Sequence, residues 1–264
     1  MLGKLLKYDL KWMLKVVVIY LALGCGLAVI GKLIELLPNS TFFTIIEGIC
    51  KGAATSLLIT AIVNGLIRSW VRIIHNVYKD EGYITNTLPI KTELHLVSKV
   101  ISSLIVLIGL SVILFGMIAL MYLNEESINI LIESLKVVAE LSNTSAIGII
   151  LLIGLLALLE VLFITIIGFF GIVYGYNYNN GKLSKSFLYG LVAYIINQVV
   201  LIVIIIIVSL FNTNIYNILF NEAKIMDFNT LKLIIIGTIV YYIISCIIWY
   251  YLAHQKIKKG INID

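Results

Sequence analysis

Charge is what this 264-residue sequence has least of. Asp, Glu, Lys and Arg make up 12% of it and hydrophobic residues 61%, against about a quarter and about half in a soluble domain. A soluble fold of this length cannot hide that excess. Lipid accepts it, because lipid-facing positions are as apolar as a protein core. Proline is almost missing: Pro38 and Pro89 are the only two, and both fall between long apolar runs, leaving those runs free of the residue that breaks helices. Cys25, Cys50 and Cys246 are scattered, which excludes a disulfide framework and a thiolate metal cluster; they read as small packing residues. His75, His95 and His254 have no acidic cluster to complete a ligand set. There is no phosphate-binding loop, since the nearest string, Gly175 to Leu183, has the wrong glycine spacing and Leu where Ser or Thr would hold magnesium. Paired-histidine metalloprotease and serine-nucleophile motifs are missing as well. The chain is therefore not expected to be an enzyme or to bind a cofactor itself.

What is present is long apolar sequence. A spanning helix needs about 20 apolar residues, and six runs qualify: Val16–Leu37, Phe42–Ile67, Val100–Leu123, Ile147–Val173, Phe187–Phe211 and Leu231–Ala253. A membrane β-barrel would show segments of about 10 residues alternating between apolar and polar, and Leu201–Val208 does not alternate. The expected fold is an all-α integral membrane protein with six transmembrane helices. The closest pair of runs is separated by Pro38-Asn39-Ser40-Thr41, which predicts a tight turn, and Glu47 and Lys51 stand at the i,i+4 spacing of an ion pair.

Orientation follows from lysine and arginine. With the N-terminus inside, fourteen of the nineteen basic residues fall on the inner side, which predicts that both termini are cytoplasmic. The net charge of +5 then anchors the inner leaflet and implies no nucleic-acid partner. Before the first run, Leu2, Leu5, Leu6, Leu10 and Met13 fall on one helical face and Lys4, Lys7, Lys11 and Lys15 on another. Residues 1–15 therefore read as an amphipathic helix in the inner interface with Trp12 as its anchor, and 16–264 as a single transmembrane domain. The lysine-then-apolar start imitates a signal peptide, but the apolar run is too long for one, so an uncleaved first span is expected.

Among the connections, Arg68–Lys99 is the longest inner segment and the most polar. Asn124–Ser145 carries apolar residues at helical spacing and reads as an amphipathic outer helix. Inside the spans polar residues are few. Glu160 lies near the middle of the fourth, where a charge is costly and should face protein; it reads either as a substrate- or proton-path residue or as a neutral interhelical hydrogen-bonding group. Asn197 and Gln198 in the fifth span and Asn64 in the second are its possible partners. Gly171 and Gly175 form a small-residue face suited to close helix contact.

One local motif narrows the function. Asp80-Glu81-Gly82-Tyr83-Ile84-Thr85-Asn86-Thr87-Leu88-Pro89-Ile90, followed by Leu96-Val97-Ser98-Lys99, resembles the permease subunits of bacterial ABC-2-type exporters between their second and third spans. The opening Lys4-Leu5-Leu6-Lys7-Tyr8-Asp9-Leu10-Lys11 is similar to their usual start. The resemblance implies that Asp80, Glu81, Gly82, Tyr83, Thr87, Leu88 and Pro89 seat on a separate ABC ATPase subunit, which carries ATP and magnesium. It also implies a dimer with a second permease copy or paralogue, in the plasma membrane. Such permeases move peptides, drugs or lipid-like substrates, and richness in Ile, Asn and Lys points to a low-GC Gram-positive bacterium. Two other readings stand beside it: a stand-alone secondary transporter using Glu160, and a membrane immunity or sensor protein for an antimicrobial peptide. Under either transport reading, Glu160, Asn197 and Gln198 are the candidate substrate path.

Overall fold

The computed structural model describes residues 2–38, 40–79, 81–83, 92–141, 143–220 and 228–260. Among these there are helices and no strand. The elements are α1 (Leu2–Glu35), α2 (Thr41–Ile73, continued by a π-helical stretch Ile74–Tyr78), α3 (Thr92–Tyr122), α4 (Glu125–Leu141), α5 (Ala146–Gly175), α6 (Lys182–Phe211), α7 (Thr213–Phe220) and α8 (Phe228–Lys258). Six of them, α1, α2, α3, α5, α6 and α8, are long and apolar enough to cross a membrane. This is the build of a multi-pass membrane protein. Each apolar run of the sequence lies in a helix of its own.

The helix boundaries have local causes. The Ser40 hydroxyl accepts from the Phe43 amide and caps α2, so Pro38 lies in a turn between two helices. The Ser145 side chain caps α5 in the same way. Asn124 Oδ1 accepts from Ser127 N at 2.8 Å at the start of α4, whose first turn also carries Glu125 and Glu126; acids there complement the positive helix terminus. Gly181 enters α6 at φ +67°, a left-handed conformation that glycine reaches without steric cost.

The N-terminal segment differs from expectation. Residues 2–35 form one continuous helix, so the amphipathic stretch is not a separate element but the first turns of α1. The reason is tertiary. Asp9, Met13, Val17, Gly24, Ala28 and Gly31 make one buried stripe along the whole of α1, and that stripe has somewhere to go.

The chain divides into two compact units, Met1–Ile128 and Asn129–Asn262. In the first, α1 and α2 run antiparallel: Asp9 meets Arg72 at one end, Gly24 faces Leu58 midway and Gly31 faces Lys51 towards the other end. The buried stripe of α2 is Lys51, Ala54, Leu58, Ala61, Gly65, Ser69 and Arg72. Small residues every three or four positions let the two backbones approach, which is how helices associate where lipid offers no hydrophobic drive. The third helix closes the bundle with Val106 and Leu110 against Met13, Val17 and Ala61, and with Met121 against Ala28 and Ala54. A β-carbon on Gly65 would come within 2.7 Å of Leu110 Cδ1.

In the second unit the core is Leu159, Phe163, Ile166, Ile167 and Phe170 of α5, Ala193 of α6, and Ile239, Tyr242, Cys246 and Ala253 of α8. Here the Gly171 and Gly175 face acts as the sequence suggests. A β-carbon on Gly171 would lie 2.6 Å from the Ser186 carbonyl oxygen and 2.8 Å from Gly190 Cα, so these glycines set the closeness of α5 and α6. The amphipathic α4 buries none of its residues, and α7 is pinned by Ile215.

Candidate functional site

The most concentrated polar chemistry lies at one end of the first unit, where three helices converge on a single carboxylate. Asp9 sits on the buried face of α1 and is 1% exposed. Its Oδ1 accepts from Arg72 Nε of α2 at 2.8 Å and from Lys99 Nζ of α3 at 2.8 Å. Its Oδ2 accepts from Ser98 Oγ at 2.8 Å and from the same Lys99 Nζ at 2.8 Å. Charge-assisted bonds of this kind are the strong ones, and a carboxylate this far from water needs them.

Arg72 has a second partner. Its Nη1 donates to Glu81 Oε2 at 2.8 Å, and Asn76 Nδ2 donates to the same oxygen at 3.1 Å. The guanidinium fork therefore joins a buried acid of α1 to an acid of the connection after α2, a use of geometry that lysine could not copy. Asp9 and Glu81 balance Arg72 and Lys99, so these four groups form a neutral set. Trp12, one turn after Asp9, lies under a further cation: the Arg68 guanidinium sits 4.3 Å from its ring centroid while Arg68 Nη2 donates to the Trp12 carbonyl at 2.8 Å. This is a cation–π contact with a hydrogen bond added. On α3, both nitrogens of buried His95 and the buried Ser102 hydroxyl have no hydrogen-bond partner among the described residues.

The connection itself is only partly described. Glu81 is tied to α2 through Arg72 and Asn76. Gly82 packs so closely that a β-carbon would come within 2.5 Å of the Val77 carbonyl oxygen, which explains a glycine there. Tyr83 is exposed. Asp80, Thr87, Leu88 and Pro89 lie outside the described residues.

The intramembrane candidates are in the second unit. Glu160 is exposed on α5, contrary to the expectation of an inward face: the interior positions at this level are Leu159 and Phe163, and the residue after an inward position is turned about 100° away. Asn197 is buried and held separately. Its carbonyl accepts from the Tyr241 hydroxyl at 2.6 Å, its Oδ1 accepts from Trp249 Nε1 at 3.4 Å, and its Nδ2 has no partner among the described residues. Asn64 donates to Thr60 O of its own helix at 3.0 Å. Among the described residues no group of His, Cys, Asp or Glu could hold a metal ion.

Comparison with protein-family models, with curated proteins and with solved structures found no match. The family resemblance accordingly rests on the motif residues alone.

Asp9 is the residue that sequence reasoning passed over. The signal was available. It is the single acid before Glu35, and at helical spacing it falls on the face of Leu2, Leu5, Leu6 and Met13, opposite the lysines. An acid in the middle of an apolar face needs a partner. Which partners it takes, Ser98 and Lys99, is not readable locally.

Proposed function

We propose that this chain is the permease subunit of an ATP-driven exporter of the ABC-2 type. It would sit in the plasma membrane with both termini cytoplasmic, as a dimer with itself or a second permease, and it would be driven by a separate ATPase. The observation that carries this reading is the Arg72 link between Glu81 and Asp9. A soluble subunit seated on the connection after α2 would act, through Glu81, on a cluster that holds α1, α2 and α3 at once. The substrate class fitting such a permease is a peptide, drug or lipid-like molecule. The test is to express the chain with its gene neighbours and purify the complex from membranes. Recovery of an ATPase that is lost when Asp80–Pro89 is replaced by a Gly/Ser segment supports the reading, and a complex with no ATPase overturns it.

A second reading is a stand-alone proton-coupled transporter. It is favoured by Glu160, the one acid within the otherwise apolar span α5. Glu160→Gln should abolish transport under that reading and leave ATP-driven transport largely intact under the first.

A further inference from the structure

The first turns of α1 carry two patterns that demand different placements. Lys4, Lys7, Lys11 and Lys15 are all exposed, and Leu2, Leu5, Leu6, Leu10 and Met13 lie on the other side. That pattern suits a helix lying flat on an anionic bilayer, lysines among the headgroups and leucines in the acyl boundary. In the structure the same turns instead continue the first long helix, docked against α2 and α3. Asp9 distinguishes the two placements. Docked, its carboxylate receives Arg72, Ser98 and Lys99. Flat on the bilayer, it would sit at the centre of the apolar face and be pressed towards hydrocarbon without a partner, which is costly for an ionised acid.

We propose that Asp9 is a positioning residue that keeps the N-terminal turns of α1 upright in the bundle and off the membrane surface. It works in two ways: it supplies the docked state with its ionic anchor, and it penalises the flat state. Arg72 makes the docking answer to the connection after α2. Its Nε holds Asp9 and its Nη1 holds Glu81, so a displacement of Glu81 that draws the guanidinium away strips Asp9 of one of its two cations. Asp9 would then retain Lys99 and Ser98. The segment is thus poised between a seat in the bundle and a seat on the lipid.

The proposal concerns α1 alone and does not rest on the ATPase reading. It is tested on the full chain in nanodiscs of phosphatidylcholine with phosphatidylglycerol, with Cys25, Cys50 and Cys246 replaced. Spin labels are placed at two exposed positions of the first unit, Lys7→Cys on α1 and Ile105→Cys on α3, and their separation is read by pulsed electron paramagnetic resonance. The chain with Asp9 intact should give one distance population. Asp9→Leu should add a second, shifted by on the order of 10 Å, because the eight residues from position 7 to the start of the apolar run form a lever of about 12 Å. Asp9→Glu, which keeps the charge, should restore the single population, a rescue that loss of packing would not give. Should Asp9→Leu not fold, Asp9→Asn serves in its place, with a smaller second population expected. A distribution unchanged in both neutral variants overturns the proposal, and so does a chain with Asp9 intact that already lies flat.

Discussion

Lys99 Nζ stands 2.8 Å from both carboxylate oxygens of Asp9, ninety residues away along the chain. Both side chains are about 1% exposed, so the pair is sealed inside the helical bundle. Removing one partner from such a pair strands a buried charge and costs about 3–5 kcal/mol, whereas replacing both by apolar groups of similar volume is often close to neutral. Lys99→Met alone leaves Asp9 with Arg72 and Ser98, so it is expected to destabilise the protein by less than that, about 1.5–3 kcal/mol. The double variant Asp9→Leu, Lys99→Met should recover much of the loss. Unfolding by SDS titration in mixed micelles measures both; equal losses in the single and double variants would show that the charges are not coupled.

The opposite end of the first unit has a lysine in the corresponding role. Lys51 Nζ donates to Glu35 Oε2 at 2.7 Å and to Glu47 Oε1 at 2.6 Å, and it lies 5.6 Å from the Tyr122 ring centroid. It thereby joins α1, α2 and α3 beside the Pro38 turn. The two acids are partly exposed, so salt screens this site more than the Asp9 cluster. Lys51→Ala is expected to cost about 1–2 kcal/mol at low salt. The loss should shrink in high salt, whereas that of Lys99→Met should not. Repeating the titration at two ionic strengths separates them.

Hydropathy made the six long helices legible, because each had to satisfy its backbone internally in lipid. The Glu47–Lys51 pair was legible from i,i+4 spacing, and the Gly171 and Gly175 contact from residue size. What the sequence did not reveal were pairings between distant segments. Nothing near Asp9 names Ser98 or Lys99, and nothing near Lys51 names Glu35. The contacts of residues 2–15 with α2 and α3 were not legible for the same reason. Their amphipathic pattern describes a surface seat, while the partners of Asp9 tie the same turns to α2 and α3.

Orientation is open to direct measurement. The lysine asymmetry predicts that Lys4, Ser184 and Lys259 lie on the cytoplasmic side and that Glu126 and Asn214 lie outside. All five are exposed. Cysteines placed there singly, in a chain lacking Cys25, Cys50 and Cys246, should divide into two groups towards an impermeant maleimide applied to intact cells. Glu126 and Asn214 should react at once and the other three only after lysis. Labelling of Lys4 together with Glu126 in intact cells would refute an N-terminus on the inner side.

Two glycines of α5 offer a paired test of what sets helix spacing in the second unit. A β-carbon on Gly175 would overlap the backbone nitrogen and Cα of Ser186, whereas one on Gly154 would meet no atom within 4 Å. Backbone cannot move aside as a flexible side chain does, so Gly175→Ala must part α5 from α6 and is expected to cost about 1–3 kcal/mol. Gly154→Ala removes a conformationally permissive residue from a helix without a clash, and should be neutral or stabilising by about 0.5–1 kcal/mol. The same SDS titration reports both. A Gly154→Ala loss as large as that of Gly175→Ala would mean that the face of α5 bearing Gly154 is packed against protein.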